Sequence, residues 1–287
     1  MSVALVTDST AYLPDDLVEE FGISVVPLHV SADGVSYTEG VDLDDAELLR
    51  LLRRARSLTT SRPSPRALHD VYERLAAGGV TEIVSAHLSG ELSGTCDAAT
   101  LAARAASVPV HVVDSGTMGM TLGHAVLSGA RLAAAGAGVA EVASAISARA
   151  AAGSLHFYVH TLEFLRRGGR IGEAAAFLGS ALAIRPLLEL VDGRIEPREK
   201  VRTAGRALPR LVELVGKAAD ASATPVAVTV HHLEEEERAQ RLAGQLIDRI
   251  GDRLSGDDVW VRPIGAVAAV HLGPGAIAVS TSPEPRA

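Results

Sequence analysis

Side chains with hydroxyl groups cluster in four short segments of the N-terminal half of the sequence. These segments are residues 7–10, 59–64, 92–95 and 114–117, and each is expected to follow a strand. In an alternating β/α protein, turns after parallel strands meet at one edge of the sheet, where ligands bind. Several hydroxyls at one such edge are suited to hold a small oxyanion. The pattern therefore predicts an anion-binding site.

Three hydroxyls are the main candidates for that site: Thr60, Ser61 and Ser93. Their O–H groups can donate to a carboxylate or a phosphate, and a helix that starts after Ser93 adds backbone N–H groups at Gly94 and Thr95. The alternative is that these residues only cap helices, as Ser and Thr often do. A nucleophilic Ser93 needs an activating histidine, and none of the four segments carries one, although a partner could come from elsewhere in the fold. Binding is therefore the first interpretation and hydrolysis the second, especially as Leu-Ser-Gly-Thr is not a Gly-x-Ser-x-Gly elbow.

Two further segments carry candidate anion ligands. Residues 166–172 place three arginines among three glycines, and Arg170 either pairs with an anion or is solvated. His271 precedes Leu-Gly-Pro-Gly, where a turn at Gly273 can form a nest of backbone N–H groups. His271 is otherwise a structural histidine. Arg202 lies in a run of charges that, taken alone, predicts only a solvated face.

No metal or nucleotide site is predicted. Asp8 and Asp114 could bind Mg²⁺, but Asx turns that satisfy local backbone N–H groups are the favoured interpretation. The adjacent residues His231 and His232 point to opposite faces of a strand. A sugar-kinase-like enzyme is a third alternative, and the absence of a Gly-x-x-x-x-Gly-Lys-[Ser/Thr] loop argues against it. Cys96 is expected to serve packing rather than reactivity.

Composition narrows the class of protein. The 287 residues suggest two domains, and 47% hydrophobic with 3% aromatic residues predicts a large aliphatic core. A net charge of -8 argues against nucleic acid and against stable attachment to anionic membranes, leaving at most transient contact. One cysteine fits a reducing compartment. The N-terminus has no basic region and predicts a first strand instead of a signal peptide, so we expect a cytoplasmic protein.

Hydrophobic periodicity predicts an α/β fold with two α/β domains, residues 1–153 and 154–287. The first domain has strands at residues 3–6, 23–30, 82–86 and 110–113 with helices between them, which favours a mostly parallel sheet with helices on both faces. Residues 123–135 and 140–151 are expected to be two helices. The second domain is expected to be a mixed sheet with helices, including a type I′ hairpin at Asp192-Gly193.

Taken together, these motifs resemble the DegV family of bacterial fatty-acid-binding proteins. The resemblance rests on residues 7–10, 60–64, 92–95, 113–115, 161–171 and 271–275, in this order and spacing. It implies two α/β domains with one long-chain fatty acid between them and no cofactor. Arg62 departs from the pattern, because the family often has Gln there.

The resemblance also implies roles for residues. The carboxylate is expected to be bound by Thr60, Ser61 and Ser93, near His271, with Gly94, Thr95 and Gly273 completing the carboxylate-binding set. Some family members present the acid to a separate ATP-dependent fatty acid kinase subunit, which forms an acyl phosphate for phospholipid synthesis. Arg170, Arg202 and His271 are associated with that phosphoryl transfer or with docking of the kinase. The chain itself is then a lipid carrier, not an enzyme, and a serine esterase that uses Ser93 is the alternative.

Overall fold

The computed structural model describes residues 2–177, 185–201, 204–256 and 258–285. The strands are β1 (Val3–Asp8), β2 (Ser24–Val26), β3 (His29–Ala32), β4 (Val35–Thr38), β5 (Leu58–Ser61), β6 (Glu82–His87), β7 (Val110–Asp114), β8 (Ser154–Tyr158), β9 (Arg185–Val191), β10 (Arg194–Val201), β11 (Val226–His232), β12 (Trp260–Pro263) and β13 (Ile277–Pro283). The α-helices are α1 (Asp15–Glu20), α2 (Asp45–Arg54), α3 (Pro65–Ala77), α4 (Thr95–Ala103), α5 (Gly119–Ala134), α6 (Val139–Ala152), α7 (Glu163–Arg167), α8 (Ala204–Ala221), α9 (Glu236–Ile250) and α10 (Ala266–Leu272).

The N-terminal half is built on a parallel sheet with strand order β2-β1-β6-β7. One face packs against α3 and α4 through a cluster that includes Val6, Leu68 and Ala99. The other face packs against α5 and α6 through residues such as Val84 and Val126. Strands covered on both faces need nearly continuous apolar runs, and β1 and β6 have them. The predicted parallel sheet with helices on both faces is confirmed.

One predicted strand is wrong. Residues 23–30 were expected to form a single strand, but Pro27 and Leu28 separate β2 from β3. Pro27 has no N–H to donate to a ladder, and the Leu28 N–H instead donates to Ser9 Oγ at 3.0 Å. After this break β3 joins a separate antiparallel sheet of order β4-β3-β5, which the sequence did not predict.

The C-terminal half is a six-stranded mixed sheet of order β10-β9-β8-β13-β11-β12. Among the described strands of this sheet, only β11 and β12 pair in parallel. Asp192 and Gly193 have φ of 47° and 80°, as a type I′ turn requires, so the predicted hairpin is confirmed. The helices α8 and α9 cover one face of this sheet, and the other face turns toward the N-terminal half.

The junction of the two halves lies between α6 and β8. The two helices expected in residues 123–151 are present as α5 and α6. The predicted domain boundary at 153/154 falls between α6 and β8 and stays a prediction. In the parts of the chain that the structure describes, no helix is both long and apolar enough to cross a membrane.

Candidate functional site

A cleft lies between the two halves. Small-molecule sites are concave and mainly apolar, with a few polar groups. The N-terminal half and the sheet face of the C-terminal half both contribute walls. The apolar lining residues include Leu28, Leu88, Leu92, Met118, Leu155, Phe157, Leu165, Leu190, Ile195, Ile264, Val267, Ala268, Leu272 and Ala278. The cleft therefore suits a long, largely apolar ligand.

Five of the predicted site residues line this cleft: Thr60, Ser61, Ser93, Arg170 and His271. They come from different elements, because Thr60 and Ser61 end β5, Ser93 precedes α4, Arg170 follows α7 and His271 lies in α10. Thr60 Oγ1 and His271 Nε2 share a hydrogen bond of 2.8 Å. The cleft thus has one polar region in which hydroxyls, a histidine and a guanidinium converge.

Hydrogen bonds of the loop after β6 in the N-terminal sheet position Ser93. Three of the four hydroxyl-rich segments lie at the carboxyl edge of the parallel sheet, as predicted, after β1, β6 and β7. The loop after β6 is fixed by Asp114, which accepts from the Gly90 N–H at 3.1 Å, and by the Ser89 hydroxyl, which donates to the Gly193 carbonyl at 2.8 Å. Ser93 Oγ in turn shares a hydrogen bond of 2.9 Å with Thr95 Oγ1.

Two expectations about local structure are wrong. The alternative in which Ser93 caps the helix that follows is wrong, because the N-cap of α4 is Gly94 and no side chain caps it. Thr60 and Ser61 were expected in a turn after a strand, but they lie within β5, paired with Val30 and His29 of β3. The edge strand β5 of the antiparallel sheet therefore places these two hydroxyls in the cleft. The turn after β6 of the parallel sheet places Ser93 there.

His271 is held in a neutral state. It lies in the last turn of α10. Burial, followed by the nearby Arg170 guanidinium, lowers its pKa to about 4. Gly168 lies directly against the ring, since a Cβ there would be 2.0 Å from His271 Nδ1. The absence of a side chain at Gly168 therefore allows the imidazole to reach Thr60.

Two arginines bring positive charge to the polar region. Arg170 is held by two backbone carbonyls, because its Nε donates to Leu92 O at 3.0 Å and its Nη1 donates to Gly168 O at 2.6 Å. Arg62 also lines the cleft, and its guanidinium lies over Gly94, where a Cβ would be 2.1 Å from Nη1. Arg62 was noted in the sequence only as a departure from a family pattern. Its place in the site was missed.

The comparisons with known proteins identify the family. A protein-family model, described as an uncharacterised protein of the DegV family, matches residues 2–284 of this chain. The chain belongs to the DegV family. A DegV domain-containing protein of Streptomyces coelicolor is 50% identical over 282 residues, which cover 98% of each chain. Another, from Deinococcus radiodurans, is 38% identical over 285 residues and 99% of each chain.

Solved DegV structures share the whole fold. A fatty-acid-binding DegV family protein from Thermus thermophilus has a TM-score of 0.89 at 33% identity, over 99% of this chain and 100% of that one. DegV from Bacillus subtilis, described as a fatty acid binding protein, has a TM-score of 0.88 at 30% identity over the same shares. The predicted family and α/β architecture are therefore confirmed.

Other predicted DegV site residues are placed differently. Gly94, Thr95 and Gly273 do not line the cleft. Thr95 is buried beneath Ser93, and Gly273 has φ of 76° and packs against Phe164, where a Cβ would be 2.3 Å from the ring. Arg202 lies outside the described residues. The carboxylate-binding role of the whole predicted set stays a prediction.

The serine hydrolase alternative is not supported. Among the described residues no hydrogen bond joins Ser93 to His271, because Ser93 bonds Thr95 and His271 bonds Thr60. A Ser-His-Asp series does exist elsewhere, where Asp8 Oδ2 lies 3.0 Å from His87 Nδ1 and Ser85 Oγ lies 2.8 Å from His87 Nε2. All three residues are fully buried, and Ser85 also bonds the Tyr72 hydroxyl. This series is sealed in the core and has no access for a substrate.

The two aspartates form the expected Asx turns. Asp8 Oδ1 accepts from the Thr10 N–H at 3.1 Å, and Asp114 Oδ1 accepts from the Gly116 N–H at 2.9 Å. No group of three or more His, Cys, Asp or Glu in the described ranges could hold a metal ion. Cys96 lies among backbone carbonyls, and burial, followed by Asp114, raises the pKa of its thiol to about 12. Its environment is that of a packing residue.

Proposed function

We propose that this chain binds one long-chain fatty acid in the cleft and presents its carboxylate to a separate ATP-dependent fatty acid kinase subunit. The observation that carries the proposal is an apolar cleft with hydroxyls and arginines gathered in one region. The Thermus thermophilus and Bacillus subtilis proteins, which share this fold, are described as fatty acid binding, and this supports the ligand class.

The apolar walls account for affinity. Each buried CH₂ group contributes about 0.8 kcal/mol, so a chain of sixteen or eighteen carbons supplies a large favourable term without any polar contact. A carboxylate is costly to remove from water unless hydrogen bonds replace its hydration. Thr60, Ser61 and Ser93 supply such donors at the place where the acyl chain ends.

The hydrogen bonds already in the site orient these donors. Neutral His271 can donate its Nε2 proton to Thr60 Oγ1, which leaves the Thr60 proton for the carboxylate. Buried Thr95 can donate to Ser93 Oγ in the same way and free the Ser93 proton. Arg62 and Arg170, which also line the cleft, then balance the negative charge of the carboxylate.

Denaturing extraction of the purified protein followed by mass spectrometry tests the ligand. The proposal expects about one fatty acid per chain. Protein that arrives empty is then titrated with palmitate and oleate. A chain that carries no acid and binds neither would overturn the proposal.

Ser93→Ala and Arg202→Ala are expected to separate binding from presentation. Loss of the Ser93 donor should weaken fatty acid binding by about 1.5–3 kcal/mol. Arg202→Ala should leave binding nearly unchanged and slow acyl phosphate formation by a purified kinase subunit with ATP. Ser147→Ala, an exposed serine on α6, is the matched control for Ser93. Equal loss of binding in the Ser93 and Arg202 variants would contradict this division of roles.

Gly168→Ala is expected to weaken fatty acid binding at least about tenfold. The new Cβ would overlap the His271 ring, so we expect the imidazole to shift away from Thr60, and a tenfold loss corresponds to about 1.4 kcal/mol. Titration with palmitate measures the affinity, and the histidine NMR signals report whether His271 has moved. Gly244→Ala is the control, because nothing lies within 4 Å of its added Cβ. An unchanged affinity with a displaced His271 would show that the imidazole does not orient the carboxylate site.

A further inference from the structure

Two polar side chains lie among the apolar walls of the cleft. His231 on β11 is 2% exposed, and Tyr12 follows the short turn after β1. Both line the cleft, and their ring centroids are 5.6 Å apart. Neither belongs to the group of residues proposed to bind the carboxylate. Their presence in a site for an unsubstituted hydrocarbon chain has no explanation in the proposed function.

The hydrogen bonds of His231 fix which nitrogen carries its proton. The Met120 N–H donates to His231 Nε2 at 3.4 Å, and the Ser280 hydroxyl lies 3.2 Å from the same nitrogen. An accepting Nε2 places the proton of a neutral ring on Nδ1. Burial, followed by the Arg262 and His232 charges, lowers the pKa of His231 to about 3, so the ring is neutral near pH 7. His231 therefore presents an Nδ1–H donor.

That donor is unpaired within the described ranges. His231 Nδ1 is buried and has no hydrogen-bond partner there, whereas the Tyr12 hydroxyl, which forms no hydrogen bond of good geometry there either, lies close to the Gly265 backbone and to Glu39. Burial, followed by the charge of Glu39, raises the pKa of Tyr12 well above its usual value, so its phenol keeps its proton. A buried polar group without a partner is costly. A hydrocarbon chain in the cleft would leave His231 Nδ1 unsatisfied.

Helix α10 shows how far this pair lies from the carboxylate region. Gly265, at the start of the helix, is against the Tyr12 ring, where a Cβ would be 2.6 Å from Cε1. His271 is in the last turn of the same helix and bonds Thr60. At a rise of about 1.5 Å per residue, these two positions are about 9 Å apart along the axis. The Tyr12 ring, with His231 beside it, therefore lies away from the Thr60–His271 pair, at a distance that a long acyl chain can cover.

We propose that the cleft takes long-chain fatty acids that carry an oxygen substituent on the chain, in the simplest case a hydroxyl, which His231 and Tyr12 hydrogen-bond. This inference rests on the proposed function. The oxygen accepts from His231 Nδ1–H, and a hydroxyl substituent also donates to the Tyr12 oxygen. A site with hydrogen-bonding groups for a ligand oxygen discriminates strongly against the analogue that lacks it.

Binding of stearic acid and of a positional series of monohydroxystearic acids to the delipidated protein tests the inference. At least one isomer should bind about tenfold or more tightly than stearic acid, with a clear optimum of position. Stearic acid that binds at least as tightly as every isomer overturns the inference and leaves the proposed function intact; an ordered water that satisfies His231 would give this result. Failure of all the acids to bind overturns both.

His231→Leu and Tyr12→Phe assign any preference to these side chains. The ratio of the Kd for stearic acid to that for the preferred isomer should fall to about one in His231→Leu and decrease in Tyr12→Phe. Each Kd ratio is measured within one protein, so differences in stability between variants do not affect it. If a variant does not fold, the wild-type series alone tests whether the cleft prefers a hydroxylated acid. His111→Gln, at an exposed histidine of β7, is the control. A preference that survives both changes overturns the assignment.

Discussion

Replacing Asp8 with alanine is expected to lower the free energy of unfolding by about 3–5 kcal/mol. The Asp8 side chain is fully buried and accepts four hydrogen bonds: from the Thr10 N–H and hydroxyl, from the Leu88 N–H and from His87 Nδ1. Alanine would leave all of these donors buried without an acceptor, and each unsatisfied donor costs about 1–3 kcal/mol. Equilibrium unfolding in urea measures the change.

Asp114→Ala is the matched control, because Asp114 occupies the equivalent turn after β7. It also accepts from backbone N–H groups, those of Gly90 and Gly116, but its side chain is exposed and water replaces the lost bonds. The expected loss is about 1 kcal/mol. Equal losses for the two aspartates would contradict the claim that the buried Asp8 network stabilises the N-terminal sheet.

The contrast between these aspartates shows which hydrogen bonds can be predicted from the sequence and which require the fold. Both Asx turns follow from local spacing, since each aspartate bonds an N–H two residues ahead. The bond from Asp8 to His87 spans 79 residues, and the bond from Thr60 to His271 spans 211. No periodicity encodes pairings of this length. The hydroxyls of the site were identified from their types and from a family resemblance, while their partners required the fold.

The cleft residues that were not predicted from the sequence were missed for the same physical reason: their positions depend on the fold. Tyr12 and His231 reach the cleft because a left-handed turn and a strand face place them there, and neither belongs to a motif. Arg62 was visible only as a departure from a pattern. The split of residues 23–30 by Pro27 was the one error with a local signal, because proline lacks the N–H that a continuous strand needs.

Acid is expected to destabilise the protein through buried histidines, and the loss should begin at a pH above the range where carboxylates titrate. Burial, the largest cause in each case, lowers the pKa of His124 and of His231 to about 3 and that of His271 to about 4, against an ordinary value of 6.5. Each folded-state pKa is below the unfolded one, so the unfolded chain binds more protons as the pH falls below about 6.5. The stability that neutral histidines provide at pH 7 is therefore lost between about pH 6.5 and pH 3–4.

At pH 5 the loss should amount to roughly 2 kcal/mol for each of these histidines, since one pKa unit corresponds to about 1.4 kcal/mol. Glu39 has the opposite effect. Burial raises its pKa, so its contribution to the free energy of unfolding increases as the pH falls. Urea unfolding at pH 7 and pH 5 measures the net change. His124→Gln should reduce the difference between the two pH values by roughly 2 kcal/mol, whereas His111→Gln, at an exposed site, should not. If both variants keep the wild-type difference, His124 is protonated in the folded state at pH 5 and its surroundings are more hydrated than their packing indicates.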